Sequence, residues 1–262
     1  MKTILLPTDF SENSWNAIVY TLHFFQKVKC NFYILHVEKT YTKPEIKQMR
    51  SLLSRIAKQF SNKEHVFSTI SDYDPFIDAV RKAIKKHNID LIAMGTKGAS
   101  GLEKILIGTN TADVLTKIEC NTLVIPENAK FTKPKDIVFP TDFLLPQKLK
   151  TLEPILDILE QFNSALKMLY VKTDEGSLSD KQLWNKSLLK DFFKNYDSEI
   201  IQLTDKKVSH AVQFFVESRE IDMIALVTKK LNYFQQLFFQ TTTEAIGYQT
   251  EIPFLVLHET ID

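Results

Sequence analysis

Four of the six glycines in this 262-residue chain, Gly95, Gly98, Gly101 and Gly108, fall between Asp90 and Asn110. The apolar run Leu91 to Met94 reads as a buried strand, and the glycines begin where it stops. That is the edge at which an open α/β sheet forms its ligand crevice. Glycine there admits positive φ and brings bare N–H groups close to a ligand. The stretch closes on Gly108-Thr109-Asn110, just ahead of an apolar pattern at Val114, Leu115 and Ile118. These three residues therefore sit at an expected helix N-terminus, where unsatisfied N–H groups and the positive end of the dipole suit a phosphate.

Written out, the spacing is Gly95-x2-Gly98-x9-Gly108-Thr109, followed by Asn110. A tight loop alone does not require the distant Gly108-Thr109 pair. In these residues the chain resembles the universal stress protein family, whose ATP-binding members carry G-x2-G-x9-G-[ST] between a strand and a helix. The resemblance implies an adenine nucleotide, ATP or AMP, held by Gly95, Gly98, Gly108, Thr109 and Asn110 through N–H groups and the Thr hydroxyl. It also implies an adenosine pocket at the end of the first strand, at Thr8 and Asp9, with a backbone contact from Val37 after the second. A carboxylate at a strand end accepts hydrogen bonds from a base or sugar; the competing role for Asp9 is to cap the helix that starts near Ser11.

The elements that must position these residues alternate. Lys2 to Leu6 reads as a strand ending at Pro7-Thr8-Asp9-Phe10-Ser11, and Ser11 caps a helix burying Trp15, Ile18, Val19, Leu22 and Phe25. Asn31 to Val37 is a second strand, followed from about Pro44 by a helix with Ile46, Met49, Leu53, Ile56 and Phe60 on one face. Val66 to Ile70 is a third strand, and Asp74-Pro75 opens a helix with Ile77, Val80 and Ile84. Thr122 to Ile125 is the fifth strand, after the glycine loop and its helix. Such alternation predicts a parallel sheet with right-handed crossovers.

The pattern then restarts. Lys2-Thr-Ile-Leu-Leu-Pro-Thr-Asp-Phe is echoed by Lys135-Asp-Ile-Val-Phe-Pro-Thr-Asp-Phe, and Asp90-Leu-Ile-Ala-Met by Asp222-Met-Ile-Ala-Leu. Two echoes at nearly one separation mean duplication. The expectation is two tandem domains, 1-130 and 131-262, joined by the polar link 127–135. In the second, Ala165 to Val171 matches the second strand, Trp184, Leu188, Phe192 and Tyr196 mark a helix, Ser209 precedes another with Val212, Phe215 and Val216, and Phe254 to Leu257 closes the sheet. With the resemblance, the expected fold class is α/β: two tandem doubly wound parallel five-stranded sheets flanked by helices, adenine nucleotide α-hydrolase-like, with strand order 3-2-1-4-5.

The second copy lacks the glycines. Val227, Lys230 and Gln240 stand opposite Gly95, Gly98 and Gly108, while Thr241 matches Thr109. Tyr233, Phe234, Leu237, Phe238 and Phe239 lie between, reading as filler for a vacated pocket or a cover for the other domain, with a partner-binding patch as the alternative. One nucleotide site beside one scaffold domain is expected, with Asp142 as a relic.

Bulk properties narrow the field. With 33 basic and 32 acidic residues, a net charge of +1 creates no field favouring nucleic acid or membrane. Two cysteines, Cys30 and Cys120, are too few for a disulfide framework and read as buried thiols in a reducing compartment. The N-terminus has no secretory apolar core and no run approaches a membrane span, so a cytoplasmic location is expected. Hydrolysis normally needs a charge clamp, a metal and an oriented water. Lys97 and Lys104 are at the wrong spacing for a G-x4-G-K-[ST] loop, no acidic pair is built for Mg²⁺, and the six histidines form no triad or metal spacing.

Three readings stand in order: a regulatory, non-enzymatic nucleotide-binding stress protein; a slow ATPase or adenylyl-transferring enzyme with Mg²⁺ left open; and an interaction scaffold without nucleotide. The family's fifth-strand contact implies an intramolecular pseudo-dimer, with a homodimer and an unknown protein partner as further partners.

Overall fold

The computed structural model describes residues 1–38, 43–96, 108–146, 148–173, 176–227 and 251–259. The chain divides into two compact units, Met1–Phe131 and Thr132–Asp262. In the first, β1 (Lys2–Pro7), β2 (Cys30–Val37), β3 (His65–Asp72), β4 (Leu91–Gly95) and β5 (Thr122–Ile125) alternate with α1 (Glu12–Phe24), α2 (Lys43–Gln59), α3 (Phe76–His87) and α4 (Thr109–Lys117). The strands lie in the order β3-β2-β1-β4-β5, and each neighbouring pair is parallel. This is the expected 3-2-1-4-5 arrangement.

The order has a consequence for function. From β1 the chain crosses through α1 to β2 on one side, whereas from β3 it returns through α3 to β4 on the other. Crossovers that leave adjacent strands in opposite directions open a crevice at their carboxyl ends. Pro7, at the end of β1, and Gly95, at the end of β4, face that crevice.

The central strands are apolar runs because helices cover both faces: Ile4, Leu5, Leu6, Ile92, Ala93, Val124 and Ile125 are fully buried. β3, at the sheet edge, alternates instead, with Val66 54% exposed and Phe67 stacked on Phe32 at 5.2 Å. Ser11 caps α1 as expected, its hydroxyl accepting the Ser14 N–H at 3.2 Å, and Trp15, Ile18 and Leu22 are buried while Val19 is only half so. The buried stripe of α2 is Met49, Leu52 and Ile56, and Ile46 in its first turns is exposed. Burial of each such aliphatic side chain contributes about 1.5–3 kcal/mol. α3 ends at Asn88, whose φ of 50° is a left-handed cap that asparagine tolerates.

The second unit has β6 (Asp136–Pro140), α5 (Glu153–Phe162) entered through a 3-10 turn (Leu149–Leu152), β7 (Ala165–Lys172), α6 (Asp180–Phe192), β8 (Ser198–Thr204), α7 (Val208–Ser218), β9 (Met223–Val227) and β10 (Phe254–Leu257). Its strand order, β8-β7-β6-β9-β10, all parallel, repeats the first topology. Two helix readings shift. α6 buries Asn185 and Leu189, one residue round from Trp184, which is 67% exposed, and Tyr196 lies past the helix end, bonded to Glu160. Ser209 lies inside α7, whose cap is Lys207, while Val212, Phe215 and Val216 are buried as expected.

The likeness of the two units reaches the hydrogen bonds. Thr8 N–H donates to Leu35 O and Thr141 N–H to Leu169 O, both at 2.8 Å. The hydroxyl oxygens of Thr8 and Thr141 accept the N–H of Phe10 and Phe143, both at 3.0 Å. Phe10 and Phe143 both hold positive φ, 61° and 58°, where a bulky side chain is strained.

Candidate functional site

A cavity of about 220 Å³ opens at the switch point of the first unit. It is bounded by the ends of β1 (Pro7, Thr8, Asp9), β2 (Leu35, His36, Val37) and β4 (Met94, Gly95), by Phe76 at the start of α3, and by Gly108 to Thr111 at the start of α4. Seven residues expected at the site, Thr8, Asp9, Val37, Gly95, Gly108, Thr109 and Asn110, line this one cavity. Gly98 lies outside the described residues, as do Gly101, Lys97 and Lys104.

The β1 end is held by short-range bonds. Pro7 closes the strand, and Thr8 Oγ1 sits 3.0 Å from Ser14 Oγ on α1. Asp9 Oδ1 accepts from the Ser11 N–H at 3.1 Å and from the Ser11 hydroxyl at 2.6 Å. Asp9 thus braces the residue that caps α1 and is not itself the cap. Asp142 does likewise for Leu144 N–H at 2.9 Å, so this use of the carboxylate is common to both units.

Gly95 is required for a different reason from positive φ. A Cβ built there would lie 2.7 Å from Asn13 Oδ1 and 3.0 Å from Asn13 Cγ, so its hydrogen side chain lets α1 close onto the end of β4. Gly108 caps α4 in extended backbone, φ −62° and ψ 155°, and its own N–H donates to Thr96 O. Thr109, Asn110 and Thr111 are first in the helix, where amides lack an acceptor within the helix itself. Those are the groups placed to meet an anion, with no acidic side chain in that first turn. Thr111 Oγ1 donates to Gly95 O at 2.8 Å, tying the helix start to the strand end.

His36, which no motif singles out, is buried near the end of β2, at 5% exposure. Its Nδ1 lies 2.7 Å from Thr8 O, which can only accept, so that nitrogen carries a hydrogen. Nε2 is 3.1 Å from Glu38 Oε1, and the ring lies 4.3 Å from that of Phe10. Ser14, Phe76, Met94 and Thr111 were likewise not singled out. The signal for Thr111 was its place two residues after Thr109 in the same first turn; Phe76 carried none, because its strand-helix junction is distant in sequence.

The described lining residues include no Lys or Arg, so polar contacts to an anion would come from amides and hydroxyls. Among the described residues no group of three His, Cys, Asp or Glu is placed to hold a metal ion. No helix among the described residues is long and apolar enough to cross a membrane.

Val227, which stands opposite Gly95, ends β9 of the second unit; Lys230, Gln240, Thr241 and the segment from Tyr233 to Phe239 lie outside the described residues. At the matching strand end, Phe143 is fully buried, its ring stacked on Tyr170 at 5.1 Å. Gln182 and Asn185 of α6 donate to Asp142 O and Phe143 O at 2.8 and 2.7 Å.

Residues 1–126 match the Universal stress protein family. The chain is 26% identical over 146 residues to Universal stress protein MJ0531 of Methanocaldococcus jannaschii, covering 49% of this chain and 84% of that one. Among solved structures it is similar to a universal stress protein from Archaeoglobus fulgidus, with 19% identity, coverage of 97% and 95% of the two chains and a TM-score of 0.68. A candidate universal stress protein from Pseudomonas aeruginosa gives 12% identity, 98% and 93% coverage and a TM-score of 0.66. At such identities these structures speak for the fold.

Proposed function

The chain belongs to the universal stress protein family through residues 1–126, and from that premise we propose that its first unit binds one adenine nucleotide, ATP or AMP, as a regulatory ligand and not as a substrate for rapid turnover. One observation carries the reading. The carboxyl ends of β1, β2 and β4 converge on the first-turn amides of α4 in a single cavity, with apolar, hydroxyl and carboxylate groups along its walls. A phosphate group is met at Thr109, Asn110 and Thr111, and Thr8 and Asp9 with the backbone beside Val37 serve the nucleoside. The spacing of Lys97 and Lys104, which does not make a G-x4-G-K-[ST] loop, favours binding over efficient hydrolysis.

A ligand that binds only the folded unit raises its stability by RT ln(1 + [L]/Kd), about 2.7 kcal/mol at a hundredfold excess over Kd. Titration with ATP and AMP, followed by calorimetry and by melting, tests the proposal. Saturable binding with an upward melting shift is expected, and no shift with either nucleotide at millimolar concentration defeats it. Incubation with ATP and Mg²⁺ separates the enzymatic alternative: ADP or an adenylylated product forming faster than about one per chain per minute favours turnover, far below the median enzyme rate though that is.

A further inference from the structure

The cavity lining combines the polar first turn of α4 with the apolar residues Pro7, Leu35, Val37, Phe76 and Met94. Apart from His36, whose ring is engaged by Phe10, Phe76 supplies the aromatic plane among the described lining residues. It is the first residue of α3, and its position is set before any ligand arrives. Pro75 fixes the backbone just ahead of it at φ −49°, and Pro75 O accepts from the N–H groups of Asp78 and Ala79 at 2.9 and 3.0 Å. The preceding turn is pinned by the Asp74 N–H donating to Asp72 Oδ1 at 2.9 Å. Half-buried, Phe76 packs against the core cluster that includes Leu35, Val80 and Met94. A ring held this way loses little side-chain freedom when a second ring lies against it.

We propose that Phe76 is the residue that selects the base: its ring stacks on a purine and sets the preference for purine over pyrimidine nucleotides. The inference rests on the nucleotide-binding reading and adds the determinant of base class. Stacking grows with the π surface shared, so the two-ring purine gains more from this wall than a pyrimidine. The phosphate seat is built from the amides of Thr109, Asn110 and Thr111, to which Phe76 contributes no group.

The test is calorimetric titration of the full-length protein with ATP, CTP and inorganic tripolyphosphate, for the wild type, Phe76→Leu and Phe76→Trp. Leu keeps an apolar side chain against the core cluster without the aromatic plane; Trp keeps the plane. The wild type is expected to bind ATP on the order of tenfold more tightly than CTP. Phe76→Leu should weaken ATP by a similar factor and bring ATP and CTP to about the same affinity, with tripolyphosphate unchanged, and Phe76→Trp should restore the ratio. Urea midpoints of the unliganded variants show that each is folded, and the wild-type ratio is a test that needs no variant. An ATP to CTP ratio near one in the wild type, or preserved in a folded Phe76→Leu, overturns the inference. Tripolyphosphate binding without nucleotide preference overturns it while sparing the phosphate seat, whereas failure to bind any of the three overturns the proposed function as well.

Discussion

At Gly95 a single hydrogen atom decides how closely α1 meets β4. Gly95→Ala places a methyl group 2.7 Å from Asn13 Oδ1, with Asn13 itself buried, so one of the two must move. Overpacking of this kind costs about 1–3 kcal/mol. The expected result is a lower urea midpoint for Gly95→Ala and a smaller loss when the same change is made in an Asn13→Ala background; equal losses in both backgrounds would assign the cost elsewhere. His258 sets a second residue-scale expectation. Burial lowers its pKa from 6.5 to about 4, so the unfolded chain takes up its proton first as pH falls. Its contribution is fully present above pH 6.5, is lost between 6.5 and 4, and amounts to about 3 kcal/mol. Unfolding free energies at pH 7.5 and 4.5 should therefore converge in His258→Gln relative to the wild type.

At the scale of elements, the start of α4 combines a free first turn with a tether. Thr111→Val removes the hydroxyl that donates to Gly95 O and leaves that carbonyl partly unsatisfied, costing about 1 kcal/mol in stability. Nucleotide affinity should fall with it, because the amides lose their fixed distance from β4; unchanged affinity in the folded variant would separate the tether from the site. Much of this corner was legible in the chain. The run Leu91 to Met94 followed by Gly95 announced a strand and its crevice, and Ser11 announced the cap of α1. What could not be read were contacts made by packing between distant elements. The need for Gly95 came from Asn13, eighty-two residues earlier, and the burial of His36 goes with its contacts to Thr8 O and the Phe10 ring. Helix faces slipped for a related reason: with Trp184, Leu188 and Asn185, Leu189 both at i, i+4 spacing, only the sheet decides which pair it covers.

On the scale of the whole molecule, two units of like topology allow structure to be separated from function. The Thr and Asp at the ends of β1 and β6 accept matching backbone N–H bonds, and the Phe holds positive φ, in both units, so that part of the motif serves the fold in each. The glycine spacing occurs only in the first copy. Both thiols also belong to that first unit, and burial pushes Cys30 up to about 11 and Cys120 up to about 12. Neither should react readily with a disulfide reagent at pH 8 until the unit opens, and nucleotide should slow the reaction by the same factor that it stabilises the fold; fast labelling of the folded protein would contradict this burial. Native mass spectrometry of the full chain with ATP, for the wild type and Gly108→Asp, reaches the central claim most directly. The extended backbone at Gly108 accepts any residue and Asp is a favourable helix cap, so the variant should fold as well as the wild type while its charge repels phosphate. One nucleotide per wild-type chain and none on the variant is the predicted result; two per chain, or one retained by Gly108→Asp, would contradict it.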